Sequence, residues 1–600
     1  MKKKLAVLLR ACVFVWKKSP AGMTLVAFIS LIDGLLPAFS FILLQKLVDA
    51  VIGGGAGAGA GKSPSVVGLG VAWILVMIVQ YTISTVITYV LEVTRGRCTK
   101  DLSMEILIKS AGIQGLAHFE SKEFLDTTDW LSFTDRSVGP FLYQLNDLIK
   151  YFSGFLSLFA LFASFELWVS AALTLSIVPS ILIAKKRANE KSSREKALED
   201  LSRRAWYYRH TVLTSEAAKE MRLFSFSALF KKKASGVFKE IENLNLRFQR
   251  FSAGGEILGT SIRVIAAGLI FLFMLSSARD GLLSAGSFAM LLQSLFQFSL
   301  NLLMLALVWT YMQGSYDYFA KFFTFLDIDD TIDLSRSKRI LVEPVDTIRF
   351  DAVSFRYPVG TEVLRRVSFT LNAGDTVALV GENGAGKSTI VKLLMRLYDP
   401  CEGAIYLNGI DIREYDIASY RDKISGIFQD YMKYDLTLLE NIYADEASKH
   451  DDLGGLPDIL SPEDIGKLPE GGRTLLGTDF GGVGLSGGQW QRVALLRGLV
   501  KPHEVLLVDE PTAAIDPIEE SRVFEMLFSH TSRITLFVTH RLGSIRKASK
   551  IIVLKQGSVI GDGGHDELMA HNDYYARLYS AQADMYKAEG GEEAPSAETL

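Results

Sequence analysis

The fold of the C-terminal half of this chain is decided by the stretch Gly381-Glu382-Asn383-Gly384-Ala385-Gly386-Lys387-Ser388-Thr389. A short apolar run at 376–380 precedes it, and a helix-forming stretch at 390–397 follows it. Glycines here let backbone N–H groups close around phosphate oxygens, and the N-terminus of the following helix favours an anion. Lys387 adds positive charge at the outer phosphates, and Ser388 offers a hydroxyl ligand to Mg²⁺. The stretch therefore predicts a phosphate-binding loop between a buried strand and a helix.

A second acidic motif follows further along the chain. The apolar residues 505–508 run directly into Asp509 and Glu510. The carboxyl end of such a strand is where ligands bind in an open α/β sheet. We therefore expect Asp509 to hold Mg²⁺ and Glu510 to polarise an attacking water as a general base.

The N-terminal half contains long apolar stretches, and 49% of the whole chain is hydrophobic. Each stretch is close to the ~20 residues that a helix needs to cross a bilayer. Soluble core helices are rarely this long without a polar face, so the stretches predict six transmembrane helices. They are Leu25–Val48, Val66–Leu91, Phe141–Phe165, Leu167–Ala184, Ile257–Ala278 and Phe288–Met312.

Basic residues predict the orientation of these spans. Three lysines at 2–4 begin the chain, and the connection between the fourth and fifth spans is rich in Lys and Arg. The loops on the opposite side carry isolated basic residues, Lys62 and Arg279. Cytoplasmic loops carry an excess of positive charge, so both termini are predicted to be cytoplasmic in a multi-pass protein of the cytoplasmic membrane.

The two long cytoplasmic connections, 92–140 and 185–254, are too polar for lipid. Their helix-forming composition predicts that the spans continue as helices beyond the membrane. Each connection has a candidate turning element, at 118–130 in the first and 215–230 in the second. We expect these tips to dock on a soluble domain.

Polar residues inside the predicted spans need a reason, because they are costly in lipid. Asp33 lies in the first span and Arg263 in the fifth. Gln293, Gln297 and Asn301 recur every four residues in the sixth and so share one helical face. Two interpretations stay open: these groups line a substrate cavity, or they form hydrogen bonds that stabilise helix packing.

A further motif, Leu485-Ser486-Gly487-Gly488-Gln489, lies between the two motifs described first. With the phosphate-binding loop, the Asp509-Glu510 pair and His540 in this order, the chain resembles ABC transporters of the exporter type, whose membrane domain comes first. The resemblance covers nearly the whole chain. It implies that ATP, with Mg²⁺, is bound and hydrolysed to drive transport.

The resemblance also implies roles for single residues. Tyr357 looks like the aromatic residue that stacks on adenine, and Gln429 looks like the glutamine that reaches Mg²⁺ and the attacking water. His540 resembles the switch histidine on the γ-phosphate, and Asp516 resembles the acid that communicates across a dimer. The residues implied to bind ATP are Tyr357, Gly381, Glu382, Asn383, Gly384, Ala385, Gly386, Lys387, Ser388, Thr389, Ser486, Gly487, Gly488, Gln489 and Asp516. The implied metal ligands are Ser388, Gln429 and Asp509. The implied catalytic residues are Glu510, His540 and Gln429.

One chain carries one phosphate-binding loop and one signature, Leu485–Gln489, whereas in this family each nucleotide lies between two protomers. The resemblance therefore implies a dimer with a second half-transporter. A homodimer is favoured over a heterodimer because Glu510 and the signature are both intact. Export of an amphipathic or hydrophobic drug, lipid or peptide is the implied function, with import by the same fold as the alternative. A net charge of -3 gives no sign of a nucleic-acid partner.

The expected fold class is multidomain, with an all-α transmembrane domain followed by an α/β ATPase domain that carries a helical subdomain. We place the transmembrane domain at 1–326, a charged linker at 327–345 and the ATP-binding domain at 346–581. The acidic stretch 582–600 is predicted to be a disordered tail. Cys12, Cys98 and Cys401 form no CxxC pair, so neither a metal knuckle nor a disulfide framework is predicted.

Overall fold

A computed structural model describes residues 2–53, 65–131, 134–358, 360–450, 456–457, 459, 468–511, 517–529, 532–539 and 544–590. The chain divides into two compact units. The first comprises Met1–Ser110 and Asp126–Ile328, and the second comprises Ala111–Leu125 and Asp329–Leu600.

The first unit is built from helices. Their bounds are α1 Lys2–Lys18, α2 Pro20–Gly53, α3 Val66–Gly112, α4 Lys122–Leu131, α5 Thr134–Phe165, α6 Leu167–Leu175, α7 Val178–Leu213, α8 Ser215–Leu223, α9 Phe226–Arg279 and α10 Ala285–Leu326. Within the described residues, six helical stretches are long and apolar enough to cross a membrane. The expectation of a six-helix membrane domain is thereby confirmed.

The predicted fourth span is divided in the structure. Helix α6 ends at Leu175, and α7 begins at Val178 with Pro179 in its first turn. Proline is accepted in the first turn because it has no N–H to donate, whereas it disrupts a helix interior. The break is short, and Leu167–Leu213 as a whole is one of the six stretches that could cross a membrane, which agrees with the span predicted at Leu167–Ala184.

The apolar core of the first unit lies where α2, α5, α6, α9 and α10 meet. Phe162 and Phe298 are fully buried there, with their rings edge to face at 5.7 Å. Helix α9 packs against α7 through Gly255 and Gly259. A Cβ on Gly259 would lie 2.9 Å from the Ser180 hydroxyl, so the absence of a side chain permits the close approach of the two helices.

The second unit contains two sheets. The strands are β1 Thr347–Arg356, β2 Glu362–Asn372, β3 Thr376–Val380, β4 Glu402–Leu407, β5 Ile410–Asp411, β6 Ile424–Ile427, β7 Val505–Asp509, β8 Ile534–Val538, β9 Lys550–Lys555 and β10 Ser558–Gly563. An antiparallel sheet has the order β2-β1-β4-β5, and a larger sheet has the order β10-β9-β3-β8-β7-β6. In the larger sheet all neighbours are parallel except β9 and β10.

The parallel strands are apolar because both faces of the sheet are covered. All five residues of β8 are buried, as are the first four of β7. Such runs are typical of parallel strands packed on both faces. The shared direction brings the carboxyl ends of β3, β6, β7 and β8 to one edge, which is where ligands bind in an open α/β sheet.

Helices complete the second unit. They are α11 Lys387–Leu394, α12 Ile417–Asp422, α13 Leu438–Tyr443, α14 Gly487–Val500, α15 Pro517–Ser529, α16 His565–His571 and α17 Asp573–Gly590. Helix α17 extends to Gly590 and so includes the first nine residues of the stretch 582–600, for which a disordered tail stays a prediction. Alanine, glutamine, methionine and lysine at these positions favour a helix and outweigh the acidic composition. Residues 591–600 lie outside the described part of the chain.

Segment Ala111–Leu125 runs from the last two residues of α3 into the start of α4 and packs within the second unit. The Leu116 N–H donates to the Leu397 carbonyl at 3.0 Å. Arg421 donates to the Gln114 side-chain oxygen at 2.7 Å and to its backbone carbonyl at 3.0 Å. This segment is therefore held to the second unit by specific hydrogen bonds as well as by the packing of Leu116 against the apolar core.

Candidate ATP-binding site

The glycine-rich loop connects β3 to α11 as the sequence predicts. Gly384 and Gly386 have φ values of +80° and +102°, in the left-handed region that glycine tolerates best. A Cβ on Gly386 would also lie 2.5 Å from the Leu364 side chain. The loop therefore requires glycine at position 386 both for its backbone conformation and for its packing against β2.

Lys387 is the first residue of α11, and its side chain folds back over the loop. Its ammonium donates to the carbonyls of Gly381 and Glu382, at 2.8 Å and 3.1 Å. Burial lowers the pKa of Lys387, while the charges of Glu510 and Asp509 raise it. The ammonium thus lies against the loop backbone, close enough to Glu510 and Asp509 for their charges to act on it.

Asp509 ends β7 and faces Ser388. The Ser388 hydroxyl donates to the carboxylate, while burial and the charge of Glu510 raise the pKa of Asp509. Its Oδ1 atom is buried and has no hydrogen-bond partner within the described chain. An unsatisfied carboxylate oxygen beside a hydroxyl suits Mg²⁺, which prefers oxygen ligands. The residues present therefore fit this ion.

Glu510 has a strained backbone. Its φ is +47°, which is unusual for a residue other than glycine, and its N–H donates to the Val538 carbonyl at 3.0 Å. Strain of this kind costs about 1–3 kcal/mol and clusters at functional sites. The hydrogen bond to the last residue of β8 fixes the position of the Glu510 backbone directly after β7.

Gln429 follows the strand next to β7. Ile427 pairs with Val508 in parallel register, so Gln429 lies just beyond the carboxyl end of β6 and Asp509 lies at the carboxyl end of the adjacent β7. The Gln429 side chain is exposed. Strand register thus brings this glutamine to the same edge as the phosphate-binding loop.

Tyr357 lies just after β1 and contacts the first turn of α11. Its hydroxyl is 3.1 Å from that of Thr389, and its ring is edge to face with Tyr398 at 5.4 Å. The Lys392 ammonium lies 5.3 Å from the ring centre. The ring is half-buried, and the side chains around it fix its position beside the loop.

The signature begins α14. Ser486 is its N-cap and forms a capping box with Gln489. The Tyr431 hydroxyl donates to the Gly487 carbonyl at 3.0 Å. Ser486 and Gly487 are exposed, so the N-terminus of a fourteen-residue helix is presented at the surface. Such a terminus favours an anion.

Two predicted residues, Asp516 and His540, lie outside the described part of the chain. Sequence analysis also missed one contact. Lys392 pairs with Glu120 at 3.2 Å, which joins α11 to segment Ala111–Leu125. The only signal in the sequence was the position of Lys392 on the helix that follows the phosphate-binding loop.

Some of the intramembrane polar residues bond to other side chains of the helices. Asp33 is buried on α2, and the Lys150 ammonium on α5 lies 2.7 Å from its carboxylate. Asn301 is buried on α10 and accepts a hydrogen bond from Gln297 at 3.1 Å. Gln293, the third member of the predicted stripe, is exposed.

Comparisons with known proteins agree with this geometry. Residues 364–513 match the family model described as ABC transporter. An ATP-dependent lipid A-core flippase from Alcanivorax borkumensis is 31% identical over 69% of this chain and 72% of its own length. The chain belongs to the ABC transporter family.

Other relatives of this ABC transporter extend the likeness along the chain. The Subtilin transport ATP-binding protein SpaT of Bacillus subtilis is 28% identical over 92% of this chain and 90% of its own length. The solved structure of a bacterial Atm1-family ABC exporter with ATP bound matches with a TM-score of 0.78. It covers 97% of this chain and 99% of its own at 23% identity, and so shows the fold. The chain is thus a multi-pass membrane protein that binds and hydrolyses ATP, with the layout of an exporter.

Proposed function

We propose that this ABC transporter exports an amphipathic or hydrophobic substrate across the cytoplasmic membrane by alternating access. One observation carries the proposal: the same chain has six candidate membrane spans and a candidate ATP site in which Lys387, Ser388 and Asp509 lie at one sheet edge. The relatives' names support export, because they include a subtilin transport protein and a lipid A-core flippase.

In this proposal the loop amides of 381–389 and the Lys387 ammonium bind the phosphates of ATP. Ser388, Asp509 and Gln429 hold Mg²⁺, which neutralises charge that develops on the phosphates during transfer. Glu510 orients water and accepts its proton as the water oxygen bonds to the γ-phosphorus and the bond to the leaving ADP oxygen breaks. Tyr357 stacks on adenine, and His540 contacts the γ-phosphate.

The working unit in this proposal is a dimer. Ser486, Gly487 and Gly488 of one protomer cover the γ-phosphate bound by the loop of its partner, which completes two ATP sites. The exposed N-terminus of α14 supports this arrangement, because the N-terminus of a helix favours an anion such as a phosphate. An intact Glu510 and signature favour a homodimer, with Asp516 communicating between the protomers.

Closure of the two ATPase domains is proposed to move the membrane halves from inward-open to outward-open. Segment Ala111–Leu125 carries this motion in the first connection, because it is bonded to the second unit and continuous with α3. Both termini and the ATPase domain face the cytoplasm in this proposal. Import by the same fold predicts the opposite flux, and transport assays in inside-out vesicles distinguish the two.

The ATPase assignment is tested with Glu510→Gln. The substitution removes a base but keeps the size of the side chain, so we expect ATP binding within about threefold of wild type. We expect turnover to fall by 10²-fold or more, since general-base catalysis contributes about 10²–10⁴-fold. Binding is measured with a fluorescent ATP analogue, and hydrolysis by phosphate release from protein in liposomes. Normal hydrolysis by the variant would refute the role of Glu510.

A further inference from the structure

A cavity of about 450 Å³ lies between α9 and α10 in the first unit. Every third or fourth residue lines it, from Thr260 to Phe271 on α9 and from Leu292 to Leu303 on α10. This spacing places one face of each helix on the cavity. Its volume lies within the range of about 300–1,000 Å³ that is typical of ligand pockets.

The lining is almost entirely apolar. Phe271 and Phe296 contribute aromatic rings, while Thr260 and Ser299 contribute hydroxyls. Arg263 is the single charged residue among the described residues that line this cavity. Val264 and Phe296 in this lining are exposed, so the chemical character is that of an open apolar cavity with one fixed cation.

Arg263 lies within a predicted span and is only 6% exposed. Its guanidinium donates to the Ser180 hydroxyl on α7, and to the Thr260 hydroxyl at 2.9 Å. Both acceptors are neutral. Glu256, one of the nearest acids along α9, instead lies 3.5 Å from Arg187. No ion pair within 4.0 Å joins Arg263 to a carboxylate in the described parts of the chain.

A buried cation without a counter-ion is costly. Insertion of a charged side chain at the centre of a spanning helix is unfavourable, and such residues usually pair with an opposite charge. Asp33 and Lys150 illustrate the usual solution in the same unit, with an ammonium–carboxylate distance of 2.7 Å. Arg263 differs because its nearest partners are neutral hydroxyls and a cavity lies beside it, while the charge of Glu256 acts on it from beyond ion-pair distance.

We propose that the α9–α10 cavity binds an anionic amphiphile, whose carboxylate or phosphate head pairs with Arg263 and whose apolar body fills the remaining volume. The planar guanidinium suits this head, because its donors match two oxygens of a carboxylate or phosphate. The hydrogen bonds to Ser180 and Thr260 hold the guanidinium in place and limit its motion. The inference deepens the proposed function by naming the charge of the ligand that its membrane half accepts.

The test uses the full-length protein in phosphatidylcholine nanodiscs. The probes are a photoreactive C16 fatty acid and the primary amine and alcohol of the same chain and diazirine position. Labelling of residues 260–271 and 292–303 is measured by peptide mass spectrometry over a range of probe concentrations. We expect the fatty acid to reach half-saturation at a concentration at least tenfold below that of the amine or the alcohol.

Variants assign the selectivity to Arg263. Arg263→Gln is expected to remove the tenfold preference, whereas Arg263→Lys, which keeps the charge, retains at least part of it. Arg279→Gln, an exposed change on the same helix, is the matched control and should label as wild type does. Leu292→Trp, which fills the cavity, should weaken labelling by all three probes. Equal labelling by the three probes in wild type, or unchanged preference in Arg263→Gln, would overturn the proposal.

Labelling needs no ATP turnover, so its outcome is independent of the export assignment. The source of the ligand is then resolved by adding ATP and Mg²⁺ to protein in liposomes. ATP-dependent movement of the fatty acid identifies a transported substrate, and retention on the protein identifies a bilayer lipid. Both results support an anionic-amphiphile site, whereas loss of transport with intact labelling contradicts only the proposed export.

Discussion

Arg421→Ala is expected to release segment Ala111–Leu125 from the second unit while the ATP site stays intact. The Arg421 guanidinium makes two hydrogen bonds to Gln114, at 2.7 Å and 3.0 Å. It also donates to the carbonyls of Met395 and Arg396, at 3.1 Å and 2.9 Å. Arg421 is therefore the side chain that joins Gln114 to the loop after α11.

The expected magnitude follows from the two bonds to Gln114. Hydrogen bonds with a charged partner contribute about 1.5–3 kcal/mol each. Taking the lower value for each, because the site is only partly buried, gives about 3 kcal/mol for the pair. That energy changes the docking equilibrium of the segment by on the order of 100-fold. Gln114→Ala keeps the bond to the backbone carbonyl and should have about half this effect on the free energy.

Amide hydrogen exchange reads this equilibrium directly. The Leu116 N–H donates to the Leu397 carbonyl, so its exchange reports whether the segment is docked. We expect this amide to exchange about 100-fold faster in Arg421→Ala. Arg413→Ala is the control, because Arg413 pairs with Asp411 at 2.5 Å within the second unit. The reasoning would be refuted if the Leu116 amide, and peptides that contain Gln114, exchanged at the same rate in Arg421→Ala as in wild type.

Three further predictions concern separate regions. Tyr357→Ala should weaken ATP binding roughly tenfold, because stacking on a base contributes about 1–3 kcal/mol. Tyr357→Phe keeps the ring and should bind ATP nearly as wild type does in a fluorescence titration. Equal affinity for all three proteins would contradict the stacking role. Gly259→Val should lower the thermal unfolding temperature of detergent-solubilised protein, because a Cβ would lie 2.9 Å from the Ser180 hydroxyl, while Gly254→Val meets open space and should have little effect. Burial and the nearby Arg546 lower the pKa of His565, so the contribution of His565 to folding stability should be fully present above about pH 6.5 and decline below it. The unfolding temperature of His565→Gln should therefore depend less on pH between 7.5 and 5.5 than that of wild type. An unchanged pH dependence in the variant would be inconsistent with this account.

The elements that carry the ATP site could be predicted because local sequence determines them. Strand β3 occupies Thr376–Val380 as expected, since an apolar run bounded by glycine-rich turns has few other structures open to it. The spans were predictable from length and composition for the same reason. Pro179 was also visible in the sequence, although the short break between α6 and α7 beside it was not predicted.

Features that depend on distant partners could not be predicted. The left-handed backbone of Glu510 is fixed by a hydrogen bond to Val538 on β8, and no local sequence pattern predicts that hydrogen bond. The contact between Lys392 and Glu120 likewise joins residues far apart in the chain. For the polar residues within the spans, the sequence did not distinguish between two roles, which are lining a cavity and stabilising helix packing. Their neighbours distinguish them, because Asp33 meets an ammonium whereas Arg263 meets a cavity.

The pairing of Asp33 with Lys150 has a consequence for how the protein is made. During synthesis α2 leaves the ribosome long before α5, so Asp33 must enter the bilayer while its counter-ion does not yet exist. An aspartate near the middle of a nascent span opposes insertion by about 2.5–3.5 kcal/mol. The apolar character of α2, whose most hydrophobic window has a mean hydropathy of 2.1, allows the helix to insert despite this opposition. Arrival of α5 then completes the pair, which makes the assembly of these two helices a late, charge-driven step in biogenesis.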